Sequence, residues 1–180
     1  MKIIQDIDYS FQDFPGKYSM VLFFKGCNLD CSFCFNKEVV NGAGRYSLKD
    51  IRQKLEKSRK VMNGNVGVVF SGGEPTVAQG FRETVAALPG EKAIHTNGLV
   101  VPDEAEIFER ATISLKPSTE IQMDYNKYLD KINMAIEAYR NPIIVWVDGP
   151  WEDPTIALNS LEGDFLFQKQ TYQEVIDEDG

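Results

Sequence analysis

The chain has 180 residues, a formal net charge of −8 and a single histidine, and these values exclude several classes of protein. A hydrophobic content of 43% with 26% charged residues is typical of a soluble globular chain of one domain. The excess of acidic side chains argues against nucleic acid or an anionic membrane as the main partner, because phosphate binding needs clustered Lys and Arg. A lone histidine cannot build a three-histidine zinc site or a two-histidine iron site.

The longest apolar runs, such as residues 20–24 and 66–70, have the length of a strand and are too short to span a bilayer. Residues 1–6 include an aspartate where a secretory leader needs an unbroken apolar stretch. We therefore expect a cytoplasmic protein without a membrane partner.

Taken in chain order, the apolar patterns predict strands and helices that alternate along a single domain of residues 1–180. Strands are predicted at residues 3–9, 18–24, 66–71, 92–96, 112–115 and 143–147. Helices are predicted after the capping box of Ser47 and Asp50, at residues 76–88, at residues 102–110, and along the apolar stripe of Leu129, Ile132, Ile136 and Tyr139.

This alternation predicts an α/β fold with a mostly parallel sheet and right-handed crossovers. A closed eight-stranded (β/α) barrel takes ~250 residues, so we predict an incomplete, open parallel barrel of about five or six units. Residues 151–180 lack a clean period and are predicted to be a C-terminal extension, whose acidic tail over residues 174–180 is mobile.

The unusual segments of the chain follow predicted strands directly. They are the cysteine loop at residues 27–34, Gly-Gly-Glu-Pro at 72–75, His-Thr-Asn-Gly at 95–98 and Ser-Leu-Lys-Pro at 114–117. Ligands of parallel α/β sheets collect at the carboxyl ends of the strands. The sequence therefore predicts one site built from these four segments.

Cys27, Cys31 and Cys34 are the only cysteines of the chain. Soft thiolates select zinc, Cu(I) or iron–sulfur. A [4Fe–4S] cluster normally has four Cys ligands, so three leave one iron open to a ligand that is not protein. The alternative is a Cys3His zinc site with His95 as the fourth ligand, in a zinc-stabilised interaction module. Zinc patterns usually combine two close pairs, whereas His95 stands alone far along the chain, which favours the cluster.

Gly72 and Gly73 allow the backbone to approach a ligand closely, because neither carries a side chain. Glu74, which precedes Pro75, offers a carboxylate to a cationic amine at a distance where charge-assisted hydrogen bonds are strong. The alternative is that these four residues form only a tight turn.

The cysteine spacing after the first barrel strand, together with residues 72–75 after the next, resembles the radical S-adenosylmethionine (SAM) superfamily. The resemblance implies that Cys27, Cys31 and Cys34 hold a [4Fe–4S] cluster and that SAM chelates its open iron. Electron transfer then yields methionine and a 5′-deoxyadenosyl radical, which takes a hydrogen atom from the substrate. No catalytic side chain beyond the cluster and SAM is implied. Phe33 matches the aromatic residue whose backbone meets the adenine.

Residues 14–28, Phe35-Asn36 and residues 148–151 resemble the activases of glycyl-radical enzymes, above all those of anaerobic ribonucleotide reductase. This implies a glycyl-radical enzyme as partner, a flavodoxin-like electron donor, and SAM-site roles for Asn36, Thr96 and Asn97. An open flank and Trp151, as an aromatic anchor, are expected to face the partner.

The pyruvate formate-lyase type of activase has aspartates at the positions of His95 and Ser114, and this resemblance implies that they bind a monovalent cation there, so we do not expect that cation here. Lys116 is retained and is expected to pair with the SAM carboxylate, the alternative being a solvated surface lysine. His95 is expected to be either a pocket wall or a core histidine. Residues 114–117 are also similar to the 7-carboxy-7-deazaguanine synthases, but Phe35-Asn36 departs from their pattern.

Overall fold

A computed structural model describes residues 2–171. The strands are β1 (Lys2–Ser10), β2 (Tyr18–Phe24), β3 (Tyr46–Ser47), β4 (Val66–Gly72), β5 (Lys92–Thr96), β6 (Phe108–Leu115), β7 (Pro142–Asp148) and β8 (Leu166–Thr171). The helices are α1 (Lys37–Asn41), α2 (Leu48–Val61), α3 (Phe81–Ala87), α4 (Tyr125–Ala138) and α5 (Thr155–Asn159).

The described strands form one sheet in the order β3-β1-β2-β4-β5-β6-β7-β8. From β2 to β8 all neighbouring strands are parallel, whereas β1 runs antiparallel to both β2 and β3. The edge strands β3 and β8 do not pair with each other, so the sheet stays open. The predicted incomplete parallel barrel is confirmed.

Local sequence accounts for much of this structure. The Ser47 hydroxyl accepts from the Asp50 amide at 3.4 Å, and the Asp50 carboxylate accepts from the Ser47 amide at 2.8 Å, which closes the predicted capping box of α2. β4 is buried along almost its whole length, as expected for a strand covered on both faces.

Two predicted helices are wrong in part. Over residues 76–88, a 3-10 turn at Pro75–Val77 is followed by Gly80 with φ of 82°, so α3 begins only at Phe81. That left-handed backbone interrupts a continuous helix. Over residues 102–110, a 3-10 turn covers only Ala105–Ile107, and β6 begins at Phe108. Buried Phe108 packs among core aromatic rings, and this tertiary packing outweighs the local helical pattern.

The C-terminal extension contains structure that the sequence did not reveal. Helix α5 follows Pro154, and β8 then pairs in parallel with β7. Leu166 and Phe167 are exposed neighbours in β8, so the strand shows no alternating pattern. The position of β8 follows from its pairing with the edge of β7 that β6 does not cover. The predicted mobile tail at 174–180 lies outside the described residues.

The main core fills the space between the sheet and its helices. A second, smaller cluster of Phe14, Val21, Val69 and Ala93 lies on the other face of the sheet and forms an apolar floor inside the barrel. Within residues 2–171, no helix is both long and apolar enough to cross a membrane.

Candidate active site

A cavity of about 620 Å³ lies inside the barrel. Ligand pockets of proteins commonly have this size. All predicted site residues line it apart from Glu74 and Pro75: Cys27, Cys31, Phe33, Cys34, Asn36, Gly72, Gly73, His95, Thr96, Asn97, Ser114 and Lys116. The four segments that follow different strands therefore meet at one place, as the sequence indicated.

The cysteine loop is held from several sides. The Gly26 amide donates to the Val40 carbonyl at 3.0 Å, and the Gly26 carbonyl accepts from the Glu74 amide at 2.8 Å. At the far side of the loop, the amide and the hydroxyl of Ser32 both donate to the Glu120 carboxylate, each at 2.6 Å. These bonds hold the thiol-bearing segment at the pocket rim.

Burial raises the pKa of the Cys27 and Cys31 thiols above their ordinary value. The nearby Lys116 ammonium opposes that rise. Without a metal, the loop therefore favours neutral thiols, and a bound metal would supply the positive charge that keeps thiolates ionised.

His95 lies on β5 and faces the barrel interior. Its Nδ1 is 3.3 Å from the Ser71 hydroxyl, and its Nε2 is 3.8 Å from the Asp13 carboxylate. Within the described part of the chain, no three side chains of the His, Cys, Asp or Glu type converge closely enough for a single metal ion. His95 is a pocket wall in this structure, with its two ring nitrogens facing Ser71 and Asp13.

The Gly72-Gly73 turn packs directly against the entry to the cysteine loop. The Gly73 amide donates to the Phe24 carbonyl at 2.9 Å. A Cβ at Gly73 would overlap the Gly26 carbonyl, and one at Gly72 would overlap the Phe24 backbone. These glycines are therefore required for contact between two chain segments, in addition to any approach to a ligand.

Glu74 is fully buried and does not line the pocket. One carboxylate oxygen accepts from the Thr76 amide (3.1 Å), the Thr76 hydroxyl (2.7 Å) and the Thr96 hydroxyl (2.9 Å), and the other accepts from the Asn97 amide (2.6 Å). Burial raises the pKa of Glu74, while these hydrogen bonds favour the ionised form. From the sequence, this carboxylate was predicted to bind the amine of SAM. In the structure, the Glu74 carboxylate connects the turns after β4 and β5. Buried Pro75 begins the adjoining 3-10 turn.

Two asparagines connect the cysteine loop to the strand ends. Asn36 donates to the Gly72 carbonyl at 3.0 Å. The side-chain Nδ2 of Asn97 donates to the Asn28 side-chain oxygen at 2.6 Å and lies 3.9 Å from the Cys27 sulfur. Asn28 was not predicted as a site residue, although its place directly after Cys27 was the available signal.

Phe33 is buried beneath Trp151, with ring centroids 4.5 Å apart. The Trp151 indole donates to the Val147 carbonyl at 2.7 Å, so this half-buried ring packs inward, and its role as a partner anchor stays a prediction. Lys116 places its ammonium 5.3 Å from the Phe33 ring and donates to the Ser114 hydroxyl at 2.8 Å. Lys116 thus belongs to the pocket.

The sequence missed several polar residues deeper in the pocket. Arg110 and Thr112 line it from β6, Gln168 and Gln170 from β8, and Asp13 from the loop after β1. Alternation of polar and apolar residues over residues 110–115 was the available signal for Arg110, but the helix predicted over residues 102–110 obscured it. The β8 residues carried no such signal.

The family model described as the Radical SAM superfamily matches residues 21–144. A pyruvate formate-lyase-activating enzyme of Clostridium pasteurianum is 37% identical over 87 residues, which are 47% of this chain and 36% of that protein. A probable GTP 3′,8-cyclase of Methanocella arvoryzae is 26% identical over 71% of this chain and 47% of its own length. A putative glycyl-radical enzyme activating enzyme of Methanocaldococcus jannaschii is 26% identical over 79% of this chain and 60% of its own length. The chain thus spans between 36% and 60% of these relatives.

Two solved structures share the fold. Streptococcus suis SuiB superposes with a TM-score of 0.63 at 19% identity, over 92% of this chain and 41% of that one. Escherichia coli QueE superposes with a TM-score of 0.59 at 15% identity, over 94% of this chain and 84% of that one. The matched residues 21–144 contain all three cysteines, the 72–75 turn and Lys116. With the thiols, Gly72, Gly73 and Lys116 gathered at one pocket, the chain belongs to the radical SAM superfamily, whose members use a [4Fe–4S] cluster and SAM.

Proposed function

We propose that this protein is a radical SAM enzyme that activates a glycyl-radical enzyme by abstracting a hydrogen atom from a glycine of that partner. One observation carries the radical SAM chemistry: three thiols and an ammonium group line the same open pocket at the carboxyl edge of the sheet. The proposal includes anaerobic ribonucleotide reductase as the partner and a flavodoxin-like electron donor.

Cys27, Cys31 and Cys34 would hold the cluster. The donor set fits, because three soft thiols suit iron–sulfur and leave one iron open. When bound, the cluster supplies the electron that cleaves SAM. The protein contributes position, charge and exclusion of water.

The roles of the remaining site residues follow from their contacts. Lys116, oriented by Ser114, would pair with the SAM carboxylate. The backbone around Phe33, Gly72 and Gly73 would contact the rest of SAM.

Other residues would position these groups. Asn36 and Asn97 tie the cysteine loop to the strand ends, and buried Glu74 fixes the turn that contains Thr96. Pro75 begins the adjoining 3-10 turn, and His95 forms the wall below.

Activation of a partner protein is supported by the sequence around the third cysteine, where Phe35 and Asn36 resemble reductase activases. Two relatives carry names that denote activation of glycyl-radical enzymes or of pyruvate formate-lyase. The open edge of the sheet leaves the pocket accessible to a loop of a large partner.

A second candidate is a small-molecule enzyme of the 7-carboxy-7-deazaguanine synthase type. A specific observation favours it: β8 extends the sheet beside β7, and its Gln168 and Gln170 line the pocket. This strand narrows the side of the pocket through which a partner loop would enter. Because Trp151 packs against Phe33, less of its ring is exposed to a partner.

The deciding experiment mixes the reduced, cluster-loaded protein and SAM anaerobically with the anaerobic ribonucleotide reductase of the same organism. The expected result is the EPR doublet of a glycyl radical on the reductase. A Cys31→Ala variant, and a reductase whose target glycine is changed to alanine, serve as controls without signal. If 5′-deoxyadenosine forms only with a pterin-like small molecule and never with the reductase, the second candidate is correct.

A further inference from the structure

The pocket continues below the residues assigned to SAM. Lys116 lies just beyond the end of β6, whereas Arg110 lies near the beginning of this strand. At ~3.3 Å per residue, their Cα atoms are about 20 Å apart. Arg110, Thr112 and Ser114 alternate with buried residues, so all of them face the pocket. The cavity therefore has an upper part near the thiols and a lower part near Arg110.

Arg110 carries a positive charge that nothing in the described chain neutralises. Its side chain makes no hydrogen bond or ion pair with any residue of the range 2–171. The neighbouring Glu109 pairs instead with Arg140 at 3.4 Å, and Asp13, the acid in the pocket lining, is oriented toward His95 at 3.8 Å. Among residues 2–171 this guanidinium therefore keeps its five hydrogen-bond donors available for a ligand.

The surroundings of Arg110 suit an anionic group. Beside it, at the same level of the sheet, lie Ala93 and Val69 of the apolar floor, and Ala93 is its register partner on β5. Above it, Thr112 is the next pocket-lining residue of β6 and provides a neutral hydroxyl. Low polarity on one side strengthens an ionic contact, and the planar guanidinium matches carboxylate or phosphate in a two-bond geometry.

We propose that the lower part of the pocket is a subsite for a carboxylate or phosphate group of the molecule that undergoes hydrogen abstraction, with Arg110 as its specificity-determining residue. The inference rests on the proposed function, because SAM must occupy the upper part near Lys116. The reacting carbon then lies between SAM and the anionic group. The anion belongs either to an acidic residue or chain terminus on a partner loop, or to a free acidic metabolite.

The test is anaerobic calorimetry on the cluster-loaded protein saturated with SAM, so that the Lys116 end is filled. Glutarate and inorganic phosphate are titrated separately at constant ionic strength. We expect saturable binding of at least one of them, weakened about 10- to 100-fold in Arg110→Gln, the range for a charge-assisted hydrogen bond. Arg110→Lys should retain part of the affinity, because it keeps the charge and loses the planar fork.

Arg82→Gln is the matched control, since Arg82 is 61% exposed and pairs with Asp103 on the outer surface. It should bind the probes like the wild type. Absence of saturable binding to the wild type, or equal affinity in wild type and Arg110→Gln, would overturn the subsite. Comparing acetylated, amidated Ala-Gly-Asp and Ala-Gly-Asn with glutarate separates a chain-borne anion from a free one, and an Arg110-dependent preference for either supports the subsite.

The subsite and the activase function can fail separately. If no glycyl radical forms but the probes bind in an Arg110-dependent manner, the subsite stands and the activase proposal falls. If the glycyl radical forms equally well with Arg110→Gln and no probe binds, the activase stands and the subsite is wrong.

Discussion

Replacing Glu74 with Gln tests whether this residue holds the protein together or binds SAM. The carboxylate accepts from the amides of Thr76 and Asn97 and from the hydroxyls of Thr76 and Thr96. All of these partners donate, so a carboxamide can replace only one oxygen correctly. With its oxygen toward the threonines, its NH₂ group faces the Asn97 amide, and two donors then meet in a buried place.

The expected loss of stability follows from the number of backbone donors that each variant leaves unpaired. Glu74→Gln leaves the buried Asn97 amide unpaired, which costs about 1–3 kcal/mol. Glu74→Ala leaves the Thr76 amide unpaired as well, which makes the cost about 2–6 kcal/mol. Against a total stability of about 5–15 kcal/mol for a native domain, both losses are measurable. Glu56→Gln on the exposed face of α2 is the control and should stay within about 0.5 kcal/mol of the wild type.

The assay is urea unfolding of the cluster-loaded protein, kept anaerobic and followed by far-UV circular dichroism, together with SAM affinity by calorimetry. We expect the free energy of unfolding to be lower in Glu74→Gln than in the wild type, and lower still in Glu74→Ala. The reasoning is refuted if Glu74→Gln unfolds like the wild type but binds SAM at least tenfold more weakly. The carboxylate would then contact SAM directly, as the motif alone suggested.

Three further predictions concern the cysteine loop and His95. Cys31→Ala removes the most buried thiol, so iron content and visible absorption after reconstitution should fall while far-UV circular dichroism is retained; unchanged iron would contradict the assignment. Glu120→Gln replaces the carboxylate that accepts both Ser32 bonds, so the apparent rate of reconstitution should fall; an unchanged rate would show that this contact does not order the loop. Burial lowers the pKa of His95, so, as the pH falls, the imidazole of the unfolded chain is protonated before that of the folded protein. The resulting stability is present above about pH 6.5 and is lost as the pH falls, by at most about 1.4 kcal/mol per pH unit. Urea unfolding between pH 7.5 and 5.5 should show a smaller slope in His95→Gln, and an equal slope would contradict the assignment.

Local patterns in the sequence determined the family and the place of the site. The spacing of Cys27, Cys31 and Cys34, and the turn at residues 72–75, are properties of short segments. The continuous apolar strands predicted a parallel sheet, whose carboxyl ends must share one edge. These features need no knowledge of distant contacts, because each depends on chain geometry over a few residues.

Tertiary structure decided what each side chain at that edge contacts. The carboxylate of Glu74 points between two turns because β4 and β5 are neighbours, and Trp151 covers Phe33 because the chain after β7 returns to the cysteine loop. Strand β8 forms on an edge that β7 leaves unpaired, without an apolar pattern of its own. Arg110 enters the pocket because core packing at Phe108 starts a strand where the local pattern indicated a helix. Such outcomes depend on which distant segments become neighbours, and local propensity carries no information about that choice.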